Sequence, residues 1–95
     1  MSNSPLQSSC TIEITNRRGL HARAAALFVK HAEQFSSEIF VATETHEVPG
    51  RSIMGLLLLS ASLGTALEIR AEGHDAAEAI QALRNLVESK FHEES

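Results

Sequence analysis

The chain has 95 residues, 43% of them hydrophobic but only 4% aromatic, and its formal net charge is −4. This length fits one domain with one core and leaves no room for a buried substrate cavity, so we expect function to lie on the surface. The sequence has no run of Lys or Arg and few aromatic side chains for stacking, which argues against a nucleic-acid interface.

Two further features concern the compartment. The single cysteine, Cys10, excludes an internal disulfide and fits a reducing environment. The longest apolar run, residues 53–59, is too short to span a membrane, and residues 1–9 lack the basic start and apolar centre of a secretory signal. We therefore expect a cytoplasmic protein without membrane contact. Residues 1–9, which are rich in Ser, are interpreted as a flexible tail, which leaves residues 10–92 for the folded domain.

The first part of this domain changes from a strand pattern to a helix pattern. In residues 10–15 (CTIEIT) apolar and polar side chains alternate, which predicts a strand with one buried face. The next segment breaks the alternation, with Gly19 as the hinge. From His21 to about Gln34, apolar residues recur at spacings of three and four, which predicts a helix. The expected stripe of this helix comprises Ala24, Leu27, Phe28, His31 and Phe35.

The middle of the chain favours a hairpin followed by a short helix. Residues 37–43 (SEIFVAT) and 45–48 (THEV) predict two strands joined by a tight turn, and a Pro-Gly pair ends the hairpin. Ser52 stands before IMGLLLLSAS, where its hydroxyl can cap the exposed backbone N–H groups of a short helix. Gly64 closes that segment.

The last third predicts one more strand and one more helix. Residues 65–73 (TALEIRAEG) alternate again, which places three apolar side chains on one face: Leu67, Ile69 and Ala71. Asp75 opens a helix over residues 75–91, and together with Glu78 it resembles a capping box. The expected buried stripe of this helix comprises Ala76, Ala79, Ile80, Leu83 and Val87.

The predicted element order is therefore β-α-β-β-α-β-α. Half-buried strands imply a sheet with one wet face, and the helices must cover the other. The fold class that follows is α+β, a two-layer open-faced sandwich with a four-stranded sheet covered on one face by three helices.

The stretch GLHAR, residues 19–23, is the candidate functional site. His21 stands at the start of a predicted helix, where backbone N–H groups lack intrahelical partners and the helix dipole adds partial positive charge. Both features attract anions, phosphate especially. An imidazole there can take a phosphoryl group, and Arg23 can supply a charged fork that suits phosphate geometry. Gly19 lets the chain approach tightly and keeps the ring accessible.

The alternative interpretation is that His21 is an ordinary solvated residue beside an arginine. The remaining histidines fit that ordinary interpretation better, because they do not fall at metal-ligand spacings and Cys10 is a poor candidate to complete a zinc set. These residues are His31, His46, His74 and His92. We therefore expect neither a metal nor another cofactor.

Two motifs in order, GLHAR and RSIMGL, carry a resemblance that covers residues 11–87. With the intervening AAALFVKHAEQF and EIFV, and the following LLLSASLGTALEIRAEG, the chain resembles the HPr family, the histidine-containing phosphocarriers of the bacterial phosphotransferase system. The nitrogen-related branch of that family, NPr, has a similar pattern. Many members have Pro directly after the arginine, where this chain has Ala24, which constrains the start of the helix less.

The resemblance implies a role for each matching residue. His21 accepts phosphate on Nδ1 from phospho-enzyme I, which phosphoenolpyruvate charges, and passes it to a IIA domain of a sugar permease or a regulatory branch. Arg23 matches the arginine that stabilises the phosphate. Ser52 matches the serine that a dedicated ATP-dependent enzyme, HPr kinase/phosphorylase, modifies in many relatives. The residues that resemble the partner-docking patch are Leu20, Ala22, Ile53, Met54 and Leu56.

By the same resemblance, the chain is a monomeric phosphoryl carrier modified on histidine rather than a turnover catalyst. Two other functions stay open from the sequence. One is a nitrogen-type or signalling variant that binds regulators according to its phosphorylation. The other is a small α+β interaction module in which His21 is incidental.

Overall fold

The elements follow one another in the predicted order. A computed structural model describes residues 6–93. Its elements are β1 (Gln7–Glu13), α1 (Ala22–Ala32), β2 (Glu38–Ala42), β3 (Glu47–Pro49), α2 (Ile53–Leu58), β4 (Ala66–Glu72) and α3 (Ala76–Glu88), followed by a single C-terminal turn (Lys90–His92). Within residues 6–93, every helix falls short of the length and apolarity that a membrane crossing requires.

The four strands form one antiparallel sheet in the order β1-β4-β2-β3. In the central strand β4, Ile69 pairs with Cys10 on one side and with Val41 on the other. The predicted inner face of β4 is confirmed, since Leu67, Ile69 and Ala71 are all fully buried. The helices pack on this face only, which gives the predicted two-layer sandwich.

Helix α1 buries a wider face than its predicted stripe. Its buried residues are Ala24, Ala25, Phe28, Val29 and Ala32. Ala24 and Phe28 were expected, whereas Leu27, His31 and Phe35 are only half-buried. The difference arises because α1 packs against both α2 and α3, so small residues on both flanks of Phe28 are covered.

Helix α2 begins as predicted and ends early. The Ser52 hydroxyl accepts a hydrogen bond from Gly55 N at 2.9 Å, which confirms the predicted cap. The helix ends at Leu58, because Ser60 adopts a left-handed conformation with φ of 51°.

The predicted capping box at the start of α3 is wrong. Asp75 is the N-cap residue, but its side chain makes no cap hydrogen bond. Its carboxylate instead accepts from the backbone N–H groups of Ser36 at 2.9 Å and Ser37 at 3.0 Å, and from both hydroxyls. These bonds, that of the Ser37 hydroxyl first, lower the pKa of Asp75 to about 2. The loop between α1 and β2 and the start of α3 are thereby tied together.

The start of the first strand and the end of the last helix differ from their predicted positions. Residues 1–5 of the expected tail lie outside the described residues, and the segment 7–9 is not tail but the first part of β1. The last helix does not reach Phe91, because α3 ends at Glu88. Lys90, Phe91 and His92 follow with φ of 60°, 54° and 64° and form a left-handed turn in which Phe91 is only 2% exposed.

Candidate functional site

The loop between β1 and α1 is held rigidly against the α2–β4 connection. Leu20 N donates to Ala61 O at 2.9 Å, and the buried Asn16 donates through Nδ2 to Gly19 O at 2.9 Å. Gly19 has a φ of +65°, and a Cβ added there would lie 2.6 Å from Ala61 O. Only glycine fits both the conformation and the space, so this loop fixes the position of the next residues.

His21 is the N-cap residue of α1. Its backbone is extended, with φ of −75° and ψ of 179°, and its side chain makes no cap hydrogen bond. The first intrahelical bond runs from Ala25 N to His21 O at 2.8 Å, so the N–H groups of Ala22, Arg23 and Ala24 precede it. The imidazole, 18% exposed, therefore lies at the positive end of the helix beside donors that have no intrahelical acceptor.

The imidazole has one strong partner that the sequence did not indicate. Its Nε2 pairs with the Glu93 carboxylate, whose other oxygen accepts from Asn16 Nδ2 at 3.1 Å. The hydrogen bond with His21 lowers the pKa of Glu93, and Asn16 and the charge of Arg18 act in the same direction. Nδ1 of His21, in contrast, has no hydrogen-bond partner within residues 6–93.

Arg23 has an exposed side chain with no hydrogen bond or ion pair to the described part of the chain. It borders a surface cavity between α1 and the C-terminal turn, lined also by Ala26, Leu27, Lys30, Phe91 and His92. Together with Arg23, Lys30 and His92 give this lining three basic side chains. The guanidinium is therefore available to an external anion.

The five residues of the predicted docking patch separate into two groups. Leu20 is 5% exposed and Leu56 is fully buried, so both side chains belong to the core. Ile53 and Met54 are 41% and 70% exposed, and Ala22 is exposed as well. The structure adds two exposed apolar residues that sequence reasoning did not assign to a surface: Leu58 and Leu63.

Asn16 and Glu93 are the site residues that sequence reasoning missed. Glu93 is separated from His21 by 72 positions, and no periodicity or motif links the two. Asn16 lies in the segment interpreted only as a pattern break, and its complete burial was not foreseen. Among residues 6–93, no three His, Cys, Asp or Glu side chains lie close enough together to hold a metal ion.

Fold and site together define a structural class: a small open-faced sandwich with a histidine at the N-terminus of its first helix. The sequence family described as "PTS HPr component phosphorylation site" matches residues 8–89. Phosphocarrier protein HPr of Neisseria meningitidis is 47% identical over 83 residues, which cover 87% of this chain and 93% of that protein. The chain belongs to the HPr family of the phosphotransferase system.

Solved structures agree with this assignment. The crystal structure of HPr-C-His from Thermoanaerobacter tengcongensis matches with a TM-score of 0.89 and 51% identity, covering 93% of this chain and 99% of that one. A crystal structure of an HPr dimer from the same organism matches with a TM-score of 0.73 and 52% identity, covering 88% and 97%. The similarity therefore extends over nearly the whole described fold.

Proposed function

We propose that this chain carries a phosphoryl group between two proteins of the bacterial phosphotransferase system. Nδ1 of His21 accepts the group from phospho-enzyme I, and a IIA domain of a sugar permease or a regulatory branch takes it from there. One observation carries the proposal: His21 is the N-cap of α1, with Nδ1 unpartnered among residues 6–93. Membership of the HPr family supports the same chemistry.

The chemistry follows from the surroundings of the ring. The nucleophile is the neutral imidazole, which attacks phosphorus through the lone pair of Nδ1. The transferred group carries negative charge, which the helix dipole, the backbone N–H groups of the first turn and the Arg23 guanidinium all stabilise. These groups are partly solvated, so the phosphate is held only moderately and can be passed on.

A labelling experiment tests the proposal. Incubation with enzyme I and phosphoenolpyruvate should give a phosphate label that is labile in acid and stable in base. His21→Ala should take none, whereas His74→Ala, which removes an exposed histidine outside the site, should be labelled normally. Label that persists in His21→Ala would overturn the assignment. Transfer from the labelled chain to a sugar-permease IIA domain separates a carrier from a purely regulatory variant.

The exposed residues Ala22, Ile53 and Met54 form the docking surface of this proposal. They flank the starts of α1 and α2, and Met54 is a flexible side chain that adapts to several partners. Leu20 and Leu56 are left out of this surface because their side chains are buried. The proposal treats the chain as a cytoplasmic monomer that meets its partners one at a time.

Phosphorylation of Ser52 by a dedicated kinase is the second part of the proposal. The hydroxyl is half-buried at the start of α2, next to Ile53, and a phosphate there would add about −1.5 to −2 charges where the fold tolerates them. The charge would impair docking without unfolding the domain. Ser52→Asp should therefore weaken enzyme I binding while Ser52→Ala does not, and equal binding by both variants would refute the switch.

A further inference from the structure

Glu93 connects the C-terminal turn to the candidate site. One oxygen of its carboxylate accepts from Asn16 Nδ2, and the other pairs with His21 Nε2. The left-handed turn at residues 90–92 brings Glu93 to this place, and the buried Phe91 anchors that turn in the core. Three consecutive non-glycine residues with positive φ are costly, so the surrounding packing must hold the turn in position.

The orientation of Asn16 fixes the direction of these hydrogen bonds. Its Nδ2 faces two acceptors, Gly19 O and the Glu93 carboxylate, so the amide nitrogen and not the oxygen must point towards them. The ionised carboxylate, in turn, can only accept hydrogen bonds, so the neutral His21 ring must carry its proton on Nε2. The lone pair of that ring is then on Nδ1.

We infer that Glu93 is a positioning residue for phosphoryl transfer, which keeps the proton of His21 on Nε2 and opposes the positive charge that the ring gains when Nδ1 is phosphorylated. This inference rests on the proposed function of His21. It adds a residue near the end of the chain to the reaction.

Phosphoryl transfer to His21 exchanges one bond to phosphorus for another. The Nδ1 lone pair forms the bond to phosphorus, the bond between phosphorus and the donor breaks, and its electron pair stays with the donor. The Nε2 proton remains on the ring, which now carries a positive charge. Glu93 lies on the opposite edge of the ring from the phosphate, so it stabilises this positive charge, while Asn16 donates a hydrogen bond to the other carboxylate oxygen.

Two substitutions at one position separate this role from simple packing. Glu93→Ala removes the acceptor, and a lost charged hydrogen bond at a partly exposed site should slow labelling about tenfold, equivalent to about 1.4 kcal/mol. Glu93→Gln should be slower still. Because Asn16 holds the carbonyl oxygen of the new amide, the NH2 group faces Nε2 and draws the ring proton to Nδ1, which blocks the nucleophile.

The experiment measures the initial rate of labelling by enzyme I and phosphoenolpyruvate, and in parallel by phosphoramidate, a small donor that needs no docking. Glu88→Gln, which removes the same charge from an exposed ion pair with Arg84, is the matched control and should label normally. Nitrogen-15 NMR of the imidazole identifies the protonated ring nitrogen in each free protein. Circular dichroism verifies that each variant is folded.

The expected order of rates is wild type, then Glu93→Ala, then Glu93→Gln, with the ring proton on Nε2 in the wild type and shifted towards Nδ1 in Glu93→Gln. Wild-type rates in both variants, faster labelling in Glu93→Ala, or a proton that stays on Nε2 in Glu93→Gln would each overturn the inference. If the wild-type chain takes no label at all, the proposed function itself fails. If it is labelled and the variants match it, only the role of Glu93 fails.

Discussion

The C-terminal turn depends on one buried side chain, and Phe91→Ala tests that dependence. Phe91 is 2% exposed and occupies the middle of three left-handed residues. Each of these residues costs about 1–2 kcal/mol in backbone energy, which burial of the phenyl ring must offset. Removing the ring therefore takes away the main contribution that keeps the turn closed.

The expected loss follows from burial and position. A fully buried Phe→Ala substitution costs about 3–5 kcal/mol of unfolding free energy. We expect about 3 kcal/mol here, the lower end, because the short segment after α3 can detach and relieve its own strain. For a domain whose total stability is about 5–15 kcal/mol, this is a large fraction.

The assay is urea unfolding followed by far-ultraviolet circular dichroism, since the chain contains no Trp or Tyr for fluorescence. With a slope of about 1 kcal/mol per molar urea, a loss of about 3 kcal/mol should lower the urea midpoint by about 3 M. Hydrogen exchange of the Glu93 amide, which donates to Lys90 O at 3.0 Å, should lose its protection before the amides of α3 do. Leu58→Ala, at a residue 69% exposed, is the control and should change stability by no more than about 0.5 kcal/mol.

Two results would show that Phe91 does not hold the turn. A loss below about 1 kcal/mol would mean that the phenyl ring does not hold the turn. Unchanged exchange at Glu93 in a destabilised Phe91→Ala protein would mean that the turn is held by contacts other than Phe91.

Three further predictions concern the glycine loop, the helix cap and acid stability. Gly19→Ala should lower the unfolding free energy by more than about 2 kcal/mol in urea titrations, because it places a Cβ on a left-handed residue and against backbone atoms. Gly64 also has a positive φ, +91°, but no atom lies within 4 Å of an added Cβ, so Gly64→Ala should lower the unfolding free energy by only the backbone cost of about 1–2 kcal/mol. Equal losses in the two variants would argue against the clash at Gly19. Ser52→Ala removes the cap hydrogen bond of α2 and should lower the unfolding free energy by about 1 kcal/mol in the same titrations. Ser62→Ala, the control at an exposed residue, should lower it by about 0.5 kcal/mol or less. The pKa of Asp75 is lowered to about 2, so its stabilising contribution is complete above pH ~4 and disappears as the pH falls towards 2. Asp75→Asn should therefore be less stable than wild type at neutral pH, with a gap that narrows between pH ~4 and 2, and a gap that is constant with pH would contradict the assignment.

Local patterns predicted those parts of the fold that local physics determines. The alternation in β4 and the serine cap of α2 are set by neighbouring residues, and both are confirmed. The buried face of α1 differs from the predicted apolar stripe because the sequence does not show that α2 and α3 both cover this helix. Asp75 followed the pattern of a cap, but Ser36 and Ser37, almost forty positions earlier, offer its carboxylate more donors.

In the candidate site, too, residues close together in the sequence were predicted, whereas residues brought together by folding were not. His21, Arg23 and Gly19 lie within five positions, so sequence spacing was sufficient to group them. Glu93 and Asn16 join them only through the folded turn after α3, whose left-handed residues contain no glycine that would have indicated it. Leu20 and Leu56 were grouped with the docking patch through the family resemblance, which aligns positions but does not show that these two side chains are buried.

Phosphorus NMR of the phosphorylated chain identifies the atom that carries the phosphate. We expect one phosphate per chain, bound to Nδ1 of His21, with a signal that disappears in His21→Ala. A phosphate on Nε2 of that ring, on another residue, or on none would contradict it.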